Sequence, residues 1–66
     1  MDTTVIAQRL GEIARAGWCS AEDGHSLEDE LYADFIRFVA LRDDELGEMA
    51  RLVLTSAEIE FPRHCA

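Results

Sequence analysis

The sequence predicts an all-α protein, a small bundle of three antiparallel helices with a short C-terminal tail. Apolar residues recur at the three- and four-residue spacing of a single helix face in three successive segments. Acidic residues gather at the predicted starts of two of these segments, where the helix dipole favours negative charge. Because a chain of 66 residues has room for only one hydrophobic core, residues 1–66 are predicted to form a single domain.

The first predicted helix spans residues 4–16. Thr3 or Thr4 can cap its start, because a side-chain hydroxyl accepts a hydrogen bond from the free backbone N–H groups of the first turn. Its apolar face consists of Ile6, Leu10, Ile13 and Ala14. Gly17 is predicted to end the helix in the left-handed conformation that glycine adopts easily. The following residues, 18–25, have no sustained apolar period and contain a turn glycine, so they are predicted to form a loop.

The second predicted helix, residues 27–42, is expected to be the central and most buried one. Ser26 is its predicted cap, because three consecutive acidic residues follow in the first predicted turn. Apolar positions cover more than half of the helix circumference: Leu27, Leu31, Tyr32, Phe35, Ile36, Phe38, Val39 and Leu41. Because so little of this helix is polar, Phe35 and Phe38, near its middle, are predicted core residues.

The third predicted helix spans residues 44–60, with Asp43 as its cap and Pro62 as the limit of any helical continuation. Its inward face consists of Leu46, Met49, Ala50, Val53, Leu54 and Ala57. A second apolar stripe projects away from that face and would stay in water in a monomer: Met49, Leu52 and Ile59. The stripe is a candidate apolar interface of a homodimer; alternatively, the first helix or the tail covers it.

The charge of the chain is strongly negative. Fourteen acidic residues against six basic residues give a net charge of −8. Binding to nucleic acid or to an anionic membrane is disfavoured, because both need basic side chains that neutralise phosphates. The first apolar run is too short for a signal peptide, and no stretch approaches the ~20 apolar residues of a membrane span. The sequence therefore predicts a cytoplasmic protein.

Four residues have the side-chain chemistry of a zinc site: Cys19, His25, His64 and Cys65. Their spacing does not match the usual pairs of zinc ligands that come from one turn. We predict neither a metal nor a cofactor, and leave open any joint role of the four. The sequence contains no recognisable Ser-His-Asp or Cys-His arrangement. Three packed helices of this size should also leave no pocket of the ~300 Å³ that small molecules need. The sequence thus predicts a binding protein rather than an enzyme.

The distribution of acidic residues is the strongest functional signal. In an antiparallel bundle, one end carries seven of them: Glu22, Asp23, Glu28, Asp29, Glu30, Glu58 and Glu60. The opposite end carries Asp2, Asp43, Asp44, Glu45 and Glu48. Helix capping and solubility account for part of this pattern, but two caps do not require seven acids near one end. The first group is the predicted binding site for a protein with a basic surface, because an acidic field steers such partners into contact.

A very small, strongly acidic, helical chain with an apolar stripe resembles the phage-encoded anti-CRISPR inhibitors. The last eight residues, 59–66, are also similar to the tails of short phage and prophage proteins. The resemblance implies a CRISPR–Cas effector subunit as partner, the cytoplasm of the bacterial host as location, and a block of DNA binding or nuclease recruitment. These inhibitors share no motif, so no residue role is carried over. The alternative class is a small acidic interaction module, such as an antitoxin or a phage adaptor that binds a basic protein.

Overall fold

The computed structural model describes residues 1–62, which form three α-helices and a short 3₁₀ helix. Helix α1 spans Thr3–Cys19, α2 spans Ala21–Ala40, α3 spans Glu45–Leu54, and the 3₁₀ helix spans Thr55–Glu58. The described residues contain no β-strand, so the predicted all-α class with three helices is confirmed. Within the same residues, no helix is both long and apolar enough to cross a membrane.

A single residue, Ser20, separates α1 from α2, and the loop predicted over residues 18–25 is therefore wrong. Ser20 is extended, with φ −152° and ψ 114°, and its hydroxyl oxygen accepts a hydrogen bond from the backbone N–H of Asp23 at 3.3 Å. Its own N–H donates to the carbonyl of Ala16 at 2.8 Å. Ser20 thus ends α1 and caps α2. Ser26, the predicted cap, lies inside α2.

Gly17 does not end α1, because it is helical and no glycine in residues 1–62 has a positive φ. Its role is instead a close contact with α2. A Cβ atom built on Gly24 would lie 2.7 Å from the Gly17 Cα, so the two helix backbones touch near the corner. Farther from the corner Arg9 meets Asp34, and the two contacts together show that α1 and α2 are antiparallel.

The other two helices are capped by aspartates that lie beside the predicted caps. The Asp2 carboxylate accepts a hydrogen bond from the N–H of Val5 at 2.9 Å and caps α1 in place of the two predicted threonines. The Asp44 carboxylate, rather than that of Asp43, accepts from the N–H of Gly47 at 3.0 Å and caps α3. Both aspartates have the extended backbone that a capping residue needs, which decides between neighbouring candidates.

The link between α2 and α3 is tight. A Cβ atom on Gly47 would collide with the carbonyl of Arg42, so only glycine fits at this position. The Arg42 guanidinium pairs with the Asp44 carboxylate across the link. Arg51 donates to the carbonyl of Ala40 at 2.6 Å and to that of Arg42 at 3.1 Å, which ties α3 to the end of α2.

α3 is shorter than predicted, ending at Leu54 rather than at residue 60. The Thr55 hydroxyl donates to the carbonyl of Leu52 at 2.6 Å, and the chain tightens into the 3₁₀ helix from this point. Such side-chain bonds compete with helical backbone bonds. Ile59 then adopts an extended conformation beyond the 3₁₀ helix. The predicted stripe of Met49, Leu52 and Ile59 therefore does not lie on one helix.

The three helices form an open bundle, one layer thick. α1 and α3 both contact α2, but within residues 1–62 no Cα atom of α1 lies within 8 Å of a Cα atom of α3. The backbone measures 39 × 34 × 9 Å, and its smallest dimension leaves no room for a second layer of helices packed about 8–10 Å away. The radius of gyration of 13.8 Å also exceeds the ~11 Å of a compact chain of this length.

The interior of this layer is very small. Among the apolar side chains of residues 1–62, only Leu31 on α2 and Ala50 on α3 are buried, at 6% and 8% exposure. Phe35 and Phe38 are 46% and 44% exposed, so the prediction that they are core residues is wrong. In a single layer, each helix has neighbours at its sides but none above or below it. Apolar residues that point out of the layer therefore remain in water.

An ion-pair network on α2 holds α1 in place. The Asp34 carboxylate accepts from Arg9 of α1 at 2.8 Å and from Arg37 of α2 at 2.9 Å. The hydrogen bond from Arg9, followed by that from Arg37, holds the pKa of Asp34 below its usual range. The pKa of Asp44 is lowered in the same way by Arg42 and by the backbone N–H of Gly47. Both shifts show that the charged carboxylates are stabilised in the folded state.

We predict that Gly24→Ala destabilises the protein, whereas Gly17→Ala, on the other side of the same contact, does not. The added methyl group at position 24 meets backbone atoms at 2.7 Å, whereas one at position 17 lies at an ordinary 3.6 Å. Overpacking of this kind costs roughly 1–3 kcal/mol. A helical Gly→Ala change without strain instead adds about 0.4–1 kcal/mol. Urea unfolding followed by circular dichroism measures both, and equal effects would contradict the close helix contact.

We also predict a loss of stability in acid that Asp34→Asn reduces. Because the folded-state pKa of Asp34 is lowered, its stabilising effect is complete above the unfolded value of about 3.9 and disappears as the pH falls through the lower folded pKa. Thermal midpoints between neutral pH and pH ~3 measure this loss. The variant should start from a lower midpoint at neutral pH and lose less on acidification. Parallel pH profiles for the two proteins would show that the ion pair contributes nothing.

Candidate protein-binding surfaces

The acidic residues predicted to bind a partner lie along the N-terminal half of α2. Glu22 and Asp23 occupy its first turn. Glu28, Asp29 and Glu30 lie near the middle of the helix. Their predicted position in a first turn is wrong because Ser20, and not Ser26, caps α2. The five acids therefore extend over the N-terminal half of α2 rather than over a single first turn.

The arginines that form ion pairs lie away from these acids. Arg9 and Arg37 bind Asp34, and Arg42 binds Asp44. Arg51 binds backbone carbonyls at the end of α2. Within residues 1–62, none of the described ion pairs uses an acid of residues 22–30. The N-terminal half of α2 consequently keeps a concentrated negative charge.

The other two predicted acids, Glu58 and Glu60, lie after α3. Glu58 ends the 3₁₀ helix and follows Ala57, which lines a hollow together with Ala33 of α2. Ala33 is one helical turn from Asp29, so the chain returns toward the same part of α2. Glu60 is exposed beyond the 3₁₀ helix. The second predicted group lies at the far end of the layer, where the side chains of Asp2 and Asp44 are used as caps.

Glu28 differs from the other acids because it interacts with a neighbouring tyrosine. The Glu28 carboxylate lies one turn before Tyr32, and its negative charge, followed by a hydrogen bond to the phenol, raises the pKa of Tyr32. Desolvation and the charge of Asp29 add smaller effects in the same direction. Deprotonation of the phenol is therefore disfavoured by the neighbouring acid.

An apolar groove runs between α2 and α3, with a volume of about 370 Å³. Its lining consists of Phe35, Ile36, Val39, Leu46, Met49, Ala50 and Val53. The expectation that the chain leaves no hollow of this volume is wrong, although the groove is open along the surface. Met49, from the predicted stripe, is part of the lining. Leu52, 64% exposed, lies on α3 outside the lining, and Ile59 lies beyond the 3₁₀ helix.

Most of this groove is not recognisable as a surface from the sequence. The sequence predicts Phe35 as a core residue of the second helix, and Leu46 and Val53 on the inward face of the third. The sequence of α2 does indicate an exposed apolar surface, because this helix has more apolar positions than two neighbouring helices can cover. Trp18, at 93% exposure on the outer part of α1, is a second missed feature. It lay in a predicted loop, so no helix face could be assigned to it.

The candidate zinc ligands are only partly described. Cys19 is an exposed free thiol and His25 is exposed on α2. His64 and Cys65 lie outside the described residues. Within residues 1–62, no three His, Cys, Asp or Glu side chains are grouped so as to hold a metal ion.

The fold and these surfaces define a small all-α protein with one acidic helix half and one apolar groove. Comparisons with protein family models, with curated proteins and with solved structures find no match. The two surfaces offer electrostatic attraction and hydrophobic burial, which are the two contributions from which protein interfaces are built.

We predict that Tyr32 titrates above the usual value of about 10 for tyrosine, and that Glu28→Gln lowers its pKa. The substitution removes the negative charge that disfavours the phenolate. Absorbance of the phenolate measures the titration directly, because Tyr32 is the only tyrosine in the chain. Asp29→Asn is the matched control and should shift the pKa much less, because Asp29 contributes the smallest of the described effects. Identical titration curves for wild type and Glu28→Gln would rule out this contact.

Proposed function

We propose that this chain is a non-enzymatic inhibitor that binds a basic protein surface through the acidic N-terminal half of α2. In its specific form, which follows from the resemblance to anti-CRISPR proteins, the partner is a CRISPR–Cas effector subunit in the bacterial cytoplasm. The bound protein excludes DNA or a recruited nuclease from the surface it occupies. The five acids within residues 21–30, with no described ion pair to balance them, are the observation that supports this proposal.

Electrostatics support a protein partner over a nucleic acid. A phosphate backbone would be repelled by the net charge of −8. A surface rich in Lys and Arg, which normally holds such a backbone, would be attracted to the same charge. Because Asp29 and Glu30 lie in mid-helix and have no capping role, their charges are available to a partner. Acidic fields of this kind can raise association rates by about 10- to 10³-fold.

The test is competition with target DNA for purified CRISPR–Cas effector complexes. We predict that the protein displaces labelled DNA, and that its affinity falls as salt is added, because exposed charges are screened beyond ~8 Å at physiological ionic strength. The double variant Asp29→Lys, Glu30→Lys should weaken displacement by at least about tenfold. Circular dichroism of each variant confirms that it is folded.

The matched control is Glu45→Lys, Glu48→Lys, which makes the same charge change in the first turn of α3. This control also loses favourable contacts with the helix dipole, so it should be the less stable variant and yet keep most of the inhibition. Equal losses in the two variants would place the interface elsewhere or show that only net charge matters. Binding to a basic protein without displacement of DNA would instead favour the adaptor or antitoxin alternative.

A further inference from the structure

One broad side of the helical layer is apolar. Phe35 and Val39 are four positions apart on α2 and therefore share one side of that helix. Leu46, Met49 and Val53 are three and four positions apart on α3 and share one side in the same way. All five line the groove between the two helices, which places them on the same side of the layer. These five residues form the apolar face of the layer.

The charged side chains of α2 at the same level point the other way. Arg37 is two positions from both Phe35 and Val39, so it projects about 160° away from them. It pairs with Asp34, which also binds Arg9 of α1. The ion pairs that hold the layer together therefore lie away from the apolar face. Glu28 is on the same side of α2, seven positions before Phe35, but does not line the groove.

The area that this protein exposes is sufficient for a stable interface. Its solvent-accessible surface is 5440 Å², whereas a compact protein of 7.4 kDa exposes about 4200 Å². The excess is about 1200 Å² by the same relation. A stable protein–protein interface removes about 800 Å² from each partner. The excess alone is larger than one partner's share of such an interface.

A second copy of this chain is the partner that fits the apolar face. Because only Leu31 and Ala50 are buried apolar residues within residues 1–62, the face needs a cover whenever the chain is folded. A second copy is present wherever the chain is made. The groove lining contains no charged residue, so the contact attracts no charged partner and brings no two carboxylates together.

We infer that the protein is a homodimer in which the apolar faces of two copies pack against each other around a two-fold axis. The contact is isologous, since each groove receives Phe35 and Met49 from the other copy. α2 and α3 of both copies then surround one shared core, as in a four-helix bundle. Asp29 and Glu30, whose substitution tests the proposed partner site, do not line the groove, so the dimer does not depend on the proposed function.

The first test needs no substitution. Analytical ultracentrifugation of the wild type should give twice the chain mass of 7.4 kDa. The thermal midpoint should rise when the protein concentration is increased over a ~100-fold range, because folding and association are coupled in such a dimer. A folded monomer with a midpoint independent of concentration would overturn the inference, whatever the outcome of the DNA competition.

The second test compares Met49→Glu with Leu52→Glu. Both residues are exposed on α3 in a single chain, at 48% and 64%, so neither change encloses a charge in a monomer. In the dimer, Met49→Glu buries a carboxylate against apolar side chains and should weaken association by more than about 100-fold. Leu52→Glu should remain dimeric, because Leu52 does not line the groove.

If Met49→Glu fails to fold, a milder substitution in the same groove decides. Val53→Ala, a smaller change in the groove lining, should keep the helical circular dichroism and weaken association measurably. Equal association of Met49→Glu and wild type would overturn the inference, as would dissociation by Leu52→Glu alone.

Discussion

The contact between Gly17 and Gly24 determines the shape of the whole molecule. It lets the backbones of α1 and α2 touch at the corner, so α1 lies along one side of α2 as far as the Arg9–Asp34 ion pair. α3 is held on the other side of α2 by Arg51 and by the tight link before Gly47. With α1 and α3 on opposite sides of α2, neither reaches the other, and residues 1–62 form one layer in which Leu31 and Ala50 are the buried apolar residues.

The existence of the three helices could be predicted from apolar periodicity, but their ends could not. Ser20 and Ser26 are equally acceptable caps by residue type, and each is followed by acids. The choice depends on the contact between Gly17 and Gly24, which draws residues 18–25 into the two helices. That contact joins residues from different helices, and no local pattern reveals it. Because the sequence places the cap at Ser26, it also predicts Glu28 in a first turn, whereas Glu28 lies near the middle of α2.

The candidate surfaces were predictable in composition but not in position. The acids of residues 22–30 are visible in the sequence, and their unpaired state required the structure, because Asp34 and Asp44 take the arginines that form ion pairs. Phe35 was assigned to the core because periodicity identifies which residues need burial, but not which chain buries them. An apolar face that is buried by the same chain and one that is buried by a second copy have the same pattern.

The charge and the apolar face constrain each other. A chain with an uncovered apolar side would associate in many ways, and a net charge of −8 opposes every arrangement that brings acidic helix halves together. The face-to-face arrangement of the proposed dimer limits this repulsion, because the groove lining is uncharged. Each dimer would then carry two acidic surfaces. A basic partner would meet twice the negative charge of a single chain, so pairing through Phe35 and Met49 would strengthen the long-range attraction without taking part in the contact.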